Sequence, residues 1–372
     1  MRSLPTGFRR WSLCAAWCAA LVLAPRSAPA QALSRVSLDS IGAVDLFGGD
    51  GTNGRPDASV DVSSVVRVST GWSVHIRPWF FKSSTDDSWS HEIYEAALRY
   101  ERAGATSVRL DAGYITSPIG YGMLDLRADT NPTIQPHLSY FVPLLPFDTG
   151  LDVQREGYVS GSPIGALTAS YPLGVNLTVS ARRWDGRVAV VAAAPSRRFA
   201  LFSEYGHPAA TPFTIAGGGV SLTPGLRVGG SIGRGRYATA AELTDPLGSP
   251  RQLTMWTAEA EYAFGYTKLT AEFTQEHFRH DGQRATSATW FVQGAQTLSP
   301  RWFVAGKLEA IRSPGLAGTT TSPTFSTREG TAGFRLTPEL TLRASATWQR
   351  WYTAPRGTNR IGAQVVWSRR WW

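Results

Sequence analysis

In Glu339 to Arg350, ELTLRASATWQR, Leu340, Leu342, Ala344, Ala346 and Trp348 alternate strictly with Thr341, Arg343, Ser345, Thr347 and Gln349. Successive side chains of an extended strand point to opposite faces, so this period of two predicts a strand with one apolar and one polar face. TSVRLDAGY repeats the pattern, with Val108, Leu110, Ala112 and Tyr114 opposing Ser107, Arg109, Asp111 and Gly113. So does MWTAEAEYAF, where Trp256, Ala258, Ala260, Tyr262 and Phe264 oppose Thr257, Glu259 and Glu261. In YTKLTAEFTQE, Leu269, Ala271 and Phe273 oppose Lys268, Thr270, Glu272 and Thr274. Segments of about ten residues, tilted, are the length that crosses a bilayer as strands. A soluble sandwich alternates too, so the connections carry the discrimination.

Very short links at Thr70-Gly71, Ala103-Gly104, Pro172 to Gly174, Pro195-Ser196, Thr223 to Gly225, Phe264-Gly265, Ser299-Pro300 and Thr337-Pro338 alternate with longer polar ones such as FGGDGTNGRPDAS, SSTDDSWS, RHDGQR and RSPGLAGTTTSPT. WDGR, at Trp184 to Arg187, is a short link where a long one is due. The phrases LTPGL, LSPRW and LTPEL mark one rim, because Pro fixes φ at a strand start and Gly supplies φ values that other residues avoid. Short turns on one rim and long loops on the other is the asymmetry of an outer-membrane barrel, not of a sandwich. The expected fold class is all-β: an antiparallel transmembrane β-barrel of 16–18 strands, 18 by direct count, with short periplasmic turns and long extracellular loops. Leu151 to Tyr171 and Arg187 to Tyr205 are the places where one hairpin more or less changes the count.

Composition changes the picture in two ways. MRSLPTGFRR, the apolar WSLCAAWCAALVLA and the small residues of APAQA read as a cleaved secretory signal over residues 1–30, cut after Ala30 or Ala32, leaving 31–372 as one barrel domain. Both cysteines, Cys14 and Cys18, leave with it, so the mature chain has no thiol or disulfide. The signal also removes Arg2, Arg9, Arg10 and Arg26 and no acidic residue, so the net charge of +9 falls to about +5. No Lys and Arg run builds a nucleic-acid patch, and nucleic acid is not an expected partner. After the signal no apolar run of about 18 residues occurs, which excludes helical spans and leaves strands open.

The chain closes on QVVWSRRWW, which resembles the aromatic-ended C-terminal strand of Gram-negative outer-membrane proteins, the signal read by the barrel assembly machinery. Ile361, Ala363, Val365 and Trp367 are in phase with Trp371, not with Trp372. Signal, cysteine-free body, alternating strands, asymmetric loops and aromatic end together resemble a Gram-negative porin over the whole mature chain. That resemblance implies an outer-membrane protein surrounded by lipid, passive diffusion of small hydrophilic solutes, frequently a homotrimer, and no cofactor.

Sixteen to eighteen strands leave a water-filled lumen. The longest irregular stretch, residues 115–150, follows the fifth strand from the long-loop side, and by resemblance it folds into the lumen as a constriction loop. It carries Asp125, Arg127 and Asp129 between Pro118, Pro132 and Pro136; the plainer reading is a loop packed over the rim. By parity Arg67, Arg77, Arg99, Arg109, Arg182 and Arg227 face the lumen early in the chain, and Glu259, Glu261 and Glu272 later. Opposite acidic loop groups, these arginines set a transverse field and a modest anion preference; alternatively they pair with carboxylates such as Glu95 and Asp111. A His-x-Ser triplet, His137 to Ser139, lies in the Pro-rich loop with no regular strand to hold a nucleophile against its base, so an enzymatic barrel is the lesser reading. A non-transporting adhesin or scaffold, and a soluble secreted all-β binding protein, are the remaining alternatives.

Overall fold

The alternating segments do form strands. The structure, a computed structural model, describes residues 36–50, 52, 54–84, 88–120, 127–137, 171–196, 201, 212–238, 251–280, 283–312, 324–351 and 356–371. The expected signal segment, Asp125, Ser139 and Trp372 lie outside the described residues.

The first five strands are β1 (Val36–Gly49), β2 (Pro56–Ser69), β3 (Trp72–Lys82), β4 (Ser90–Arg102) and β5 (Thr106–Tyr114). After a long connection come β6 (Leu173–Ala181), β7 (Trp184–Val191), β8 (Phe213–Thr223), β9 (Leu226–Ala238) and β10 (Arg251–Phe264). The remainder are β11 (Thr267–His280), β12 (Gln283–Thr297), β13 (Trp302–Arg312), β14 (Thr324–Arg335), β15 (Leu340–Arg350) and β16 (Thr358–Arg370). Each strand pairs antiparallel with its sequence neighbours, and β1 pairs with β16 to close the barrel. Closure removes every sheet edge and satisfies the backbone, which the interior of a bilayer demands. Trp371 completes the seam: its amide donates to the Leu38 carbonyl at 2.9 Å and its indole Nε1 to Ser40 Oγ at 2.7 Å.

Alternation places Val44, Leu46, Val188, Val190, Ile232, Leu308, Ile361 and Val365 outward and exposed, while Thr257, Glu259, Thr270, Glu272, Arg343 and Thr347 are buried inward. An apolar outside around a polar inside is the inverse of a soluble protein and suits a barrel set in hydrocarbon.

The strand number is sixteen, not the eighteen of the direct count. The surplus arose between β5 and β8. Pro172 to Gly174 is the upper start of β6, not a short turn, and Pro195-Ser196 lies in the long connection after β7. WDGR is no link at all but the start of β7, and the turn before it is Arg182-Arg183. Asp-Gly reads locally as a turn, but Gly186 faces Gly218 across the β7–β8 pair, where an added Cβ on Gly218 meets the Asp185 carbonyl at 2.3 Å. The glycines serve close strand approach, and the β5–β6 register from Tyr114↔Leu173 to Thr106↔Ala181 leaves no place between them for another strand. With sixteen strands the rims sort cleanly. One has seven connections of two to four residues; the other has connections of six or more, except at 281–282, where RHDGQR is mostly strand.

The recurring turn phrase has a local cause. Thr337 Oγ1 accepts the Leu340 amide at 3.0 Å and Ser299 Oγ accepts the Trp302 amide at 3.1 Å, so a hydroxyl caps the first residue of each upgoing strand while the following Pro sets φ. LTPGL solves the same task with Gly225 at φ 89°, where an added Cβ lies 2.1 Å from the Ala263 carbonyl oxygen. Gly225→Ala is therefore expected to lower the thermal midpoint of the folded barrel in detergent, the left-handed backbone alone costing about 1–2 kcal/mol. An unchanged midpoint would mean that the turn relaxes freely.

Candidate functional site

Among the described residues, two clusters of arginine–carboxylate pairs stand on the inward face. On the first wall, Arg77 of β3 grips Asp61 of β2, with Nε 3.0 Å from both carboxylate oxygens and Nη2 at 2.6 Å from Oδ2. Arg99 of β4 bonds Asp111 of β5 at 2.6 Å and Glu95 at 3.1 Å, and Arg109 reaches the other Asp111 oxygen at 2.8 Å. On the second wall, Arg227 of β9 forks onto Asp185 of β7 with two bonds of 2.7 Å, and Glu259 of β10 accepts from Arg187 and, at 3.4 Å, from Arg227. Arginine's rigid fork suits such bidentate pairing between neighbouring strands. Among the described residues, Arg77, Arg99, Arg109 and Arg227 thus pair with wall carboxylates, while the loop's Asp129 is held by its own Arg127 at 3.1 Å.

The other residues singled out by parity divide by height. Arg67 is exposed near the short-turn end of β2, and Glu261 pairs with Lys268 at 3.1 Å toward the same rim. Glu272 is buried on β11. Arg182 is a correction: it sits exposed in the β6–β7 turn, and the inward arginine of that hairpin is Arg187, which the misplaced turn concealed.

Residues 127–137, between β5 and β6, lie inside the barrel against β12 to β15. Glu329 Oε1 accepts the Ile134 and Gln135 amides at 2.8 and 3.2 Å. Lys307 Nζ donates to the Gln135 and Pro136 carbonyls, both at 2.7 Å, and lies 3.6 Å from Glu329 Oε2. Gln293 donates to Asn131 Oδ1 at 2.9 Å, and Arg343 to the Thr133 carbonyl at 3.4 Å. An irregular segment can be buried only if its amides and carbonyls find partners, and these four strands supply them. His137 ends the described part of the segment with its ring 3.8 Å from that of Phe291. Burial and the Lys307 ammonium hold its imidazole neutral, well below the ordinary histidine range. Parity alone marks Lys307 and Glu329 as inward, but their cross-strand pairing, Lys307↔Glu329, emerges only with the register.

The polar lining stops partway up. Near the long-loop rim Phe213, Ile215, Tyr237, Leu253, Met255, Phe278, Ile311 and Phe325 all point inward and pack with Ile115, Ile119 and Tyr171. None is more than 3% exposed. The expectation of polar inward residues therefore fails at that level: a hydrophobic cluster reaches from Tyr94 and Ala97 of β4 through β7 to Phe325 of β14, with Trp79 of β3 packed against it. A cavity of about 300 Å³ lies between residues 127–136 and the wall of β16, β1, β2 and β3, where Ala128 packs against Ile41, Ala43 and Val366. Asp45, Asp57, Asp61, Arg77, Lys82 and Arg127 line it, beside Trp79, Phe81 and Tyr94. Trp79 stacks on Phe81 and Tyr94 with centroids 4.3 and 5.0 Å apart, which stiffens the wall beside Arg77.

No protein-family profile and no curated relative matches this sequence. Solved structures do match in fold. OmpF of Salmonella typhi, in complex with daunomycin, superposes with a TM-score of 0.58 at 8% identity, over 90% of this chain and 97% of that one. The outer-membrane channel DcaP of Acinetobacter baumannii gives 0.55 at 10% identity, over 90% and 96%. In-vitro folded OmpT of Vibrio cholerae, an outer-membrane protein in trimer form, gives 0.52 at 12%, over 90% and 99%. At such identities the likeness is one of architecture, and the architecture of this chain is that of the Gram-negative outer-membrane porin barrel.

Proposed function

We propose that this chain is an outer-membrane channel for passive diffusion of small hydrophilic solutes and ions, with residues 127–137 as its constriction and no catalytic role. The observation that carries this reading is the charged cavity left between the docked segment and the wall of β16 to β3, inside a barrel whose outer face is apolar. The segment is tied to β12–β15 by buried charges and touches the β1–β16 wall through Ala128, and the cavity beside it is the space left for solute. In this reading residues 1–30 direct export and are removed, 31–372 form the barrel, Trp371 rather than Trp372 presents the aromatic signature to the assembly machinery, and the barrel associates as a homotrimer. Three carboxylates and three cations line the cavity, so anions are preferred at most mildly.

Planar-bilayer recording with a salt gradient tests the proposal. Expected are small discrete conductance steps with a reversal potential close to zero, displaced slightly toward anions. A strong preference of either sign defeats the charge reading. The hydrophobic packing near the long-loop rim favours a second reading, a closed barrel serving as a scaffold, and absence of any conductance from correctly folded protein would select it.

A further inference from the structure

The cavity beside the docked segment changes from charge to ring along neighbouring strands. Asp45 of β1 and Asp57 of β2 are direct cross-strand partners, and both line it. Two residues from Asp57 toward the short-turn rim stands Ser59, opposite Phe81 of β3, and two further is Asp61, opposite Trp79. The carboxylate pair and the rings are therefore about 7–13 Å apart along the strands. Phe81, Trp79 and Tyr94 all line the cavity and form one stack. Among the described residues Trp79 is the one ring that meets Phe81, so Phe81 ends that stack.

Like charges directly opposite one another repel unless a cation lies between them. Two cations of the lining are engaged elsewhere, Arg77 on Asp61 and Arg127 on Asp129. Lys82 lines the cavity too, and among the described residues it forms no salt bridge with Asp45 or Asp57. The adjoining stretches of sequence outside the described residues, 51, 53, 85–87 and 121–126, contain no Lys or Arg. Asp57 accepts from the Ser84 amide, which fixes its carboxylate. Asp45 Oδ1 is buried and, among the described residues, accepts no hydrogen bond. A buried acceptor without a donor is costly, and an ammonium head supplies three donors together with the missing charge. Aromatic faces attract the same head and shelter an apolar body attached to it. The volume, about 300 Å³, suits a small organic molecule.

We propose that the solutes of this cavity are organic ammonium ions carrying an apolar ring, with the ammonium between Asp45 and Asp57 and the ring against Phe81 and Trp79. This names the solute class of the channel reading and rests on it. Arg77, Lys82 and Arg127 balance the lining overall, so the carboxylate pair selects by local contact and leaves the reversal potential in simple salt near zero. The full refolded chain is titrated in detergent by calorimetry with phenethylammonium, with ethylammonium as the charge without the ring, and with phenylacetate as the ring with the opposite charge. Phenethylammonium is expected to bind at least tenfold more tightly than either. Asp45→Asn/Asp57→Asn, in which an amide oxygen at position 57 can still accept from the Ser84 amide, should abolish the preference over phenylacetate. Phe81→Leu should weaken phenethylammonium several-fold and ethylammonium far less. Thermal midpoints establish that each variant is folded; if the double variant is not, the three ligands on the original chain and on Phe81→Leu decide. Equal binding of phenylacetate overturns the proposal. Displacement of phenethylammonium by calcium at equal concentration also overturns it, assigning the carboxylate pair to a metal ion. Conductance in potassium chloride alone, recorded on the same samples, judges the channel reading separately. A conducting barrel that does not bind phenethylammonium sinks only the solute class, whereas a folded barrel that binds it and never conducts sinks the channel reading and, with it, the ion as a transported solute.

Discussion

Replacing Lys307 by Met is expected to loosen residues 127–137 from the inner wall, raising single-channel conductance and adding rapid flicker. Lys307 makes two 2.7 Å bonds to the Gln135 and Pro136 carbonyls and faces Glu329 at 3.6 Å, and both charged side chains are fully buried. Met keeps the volume, so the loss is electrostatic. The Gln135 carbonyl keeps its bonds from Asn131 and Thr133, but the Pro136 carbonyl loses the Lys307 ammonium and Glu329 is left as a buried charge without its cation, which in comparable buried pairs costs about 3–5 kcal/mol. The barrel wall is held by its own backbone ladder, so its thermal midpoint should move far less than the docking of the segment. Limited proteolysis supplies the second readout, with new cleavage expected between residues 127 and 137. Glu329→Gln should act in the same direction but more weakly, because the amide oxygen can still accept from Ile134 and Gln135. Unchanged conductance together with unchanged proteolysis in the Lys307 variant would rule out a constricting role for this segment.

The second large effect concerns the lining charge. If the barrel conducts as proposed, Arg77→Gln should shift the reversal potential toward cations, because Asp61 loses its bidentate partner and becomes an uncompensated carboxylate in the cavity. The charge-assisted bonds lost are worth about 1.5–3 kcal/mol, so the variant should also unfold more readily. Adding Asp61→Asn removes the orphaned charge, and the double variant is expected to recover most of both the selectivity and the stability. That recovery separates pairing from size: if the double variant shifts as far as the single one, Arg77 acts through bulk beside Trp79 and Tyr94, not through charge.

Where the sequence proved readable, one property was responsible: the strict period of two. It places Arg343, Glu259 and Glu272 inward and Trp256, Leu342 and Trp371 outward, and it holds in the structure at each of them. Reading failed where a local signal had two physical uses. Asp185-Gly186 has the composition of a hairpin turn, but the glycine there relieves close contact between β7 and β8, so Arg187 was hidden and Arg182 misplaced. Leu253 and Met255 continue the inward parity of Thr257 and Glu259, and nothing in the alternation announces that the inward side turns apolar near the long-loop rim. The partners of the wall arginines were half visible: Glu95 and Asp111 lie close in sequence to Arg99 and Arg109, whereas Asp61, 16 residues from Arg77, requires the β2–β3 register.

The sequence by itself determined the class of structure, a strand-built barrel with an apolar outside and two unlike rims, because alternation and turn chemistry act between near neighbours along the chain. Only the tertiary structure decided how the barrel interior is divided between a charged cavity and an apolar cluster. That division depends on Glu329 and Lys307 meeting a segment about 170 to 195 residues away, and on apolar side chains from β4 and β7 to β14 converging at one height. Such contacts follow from the closure and register of the barrel, which no local pattern encodes.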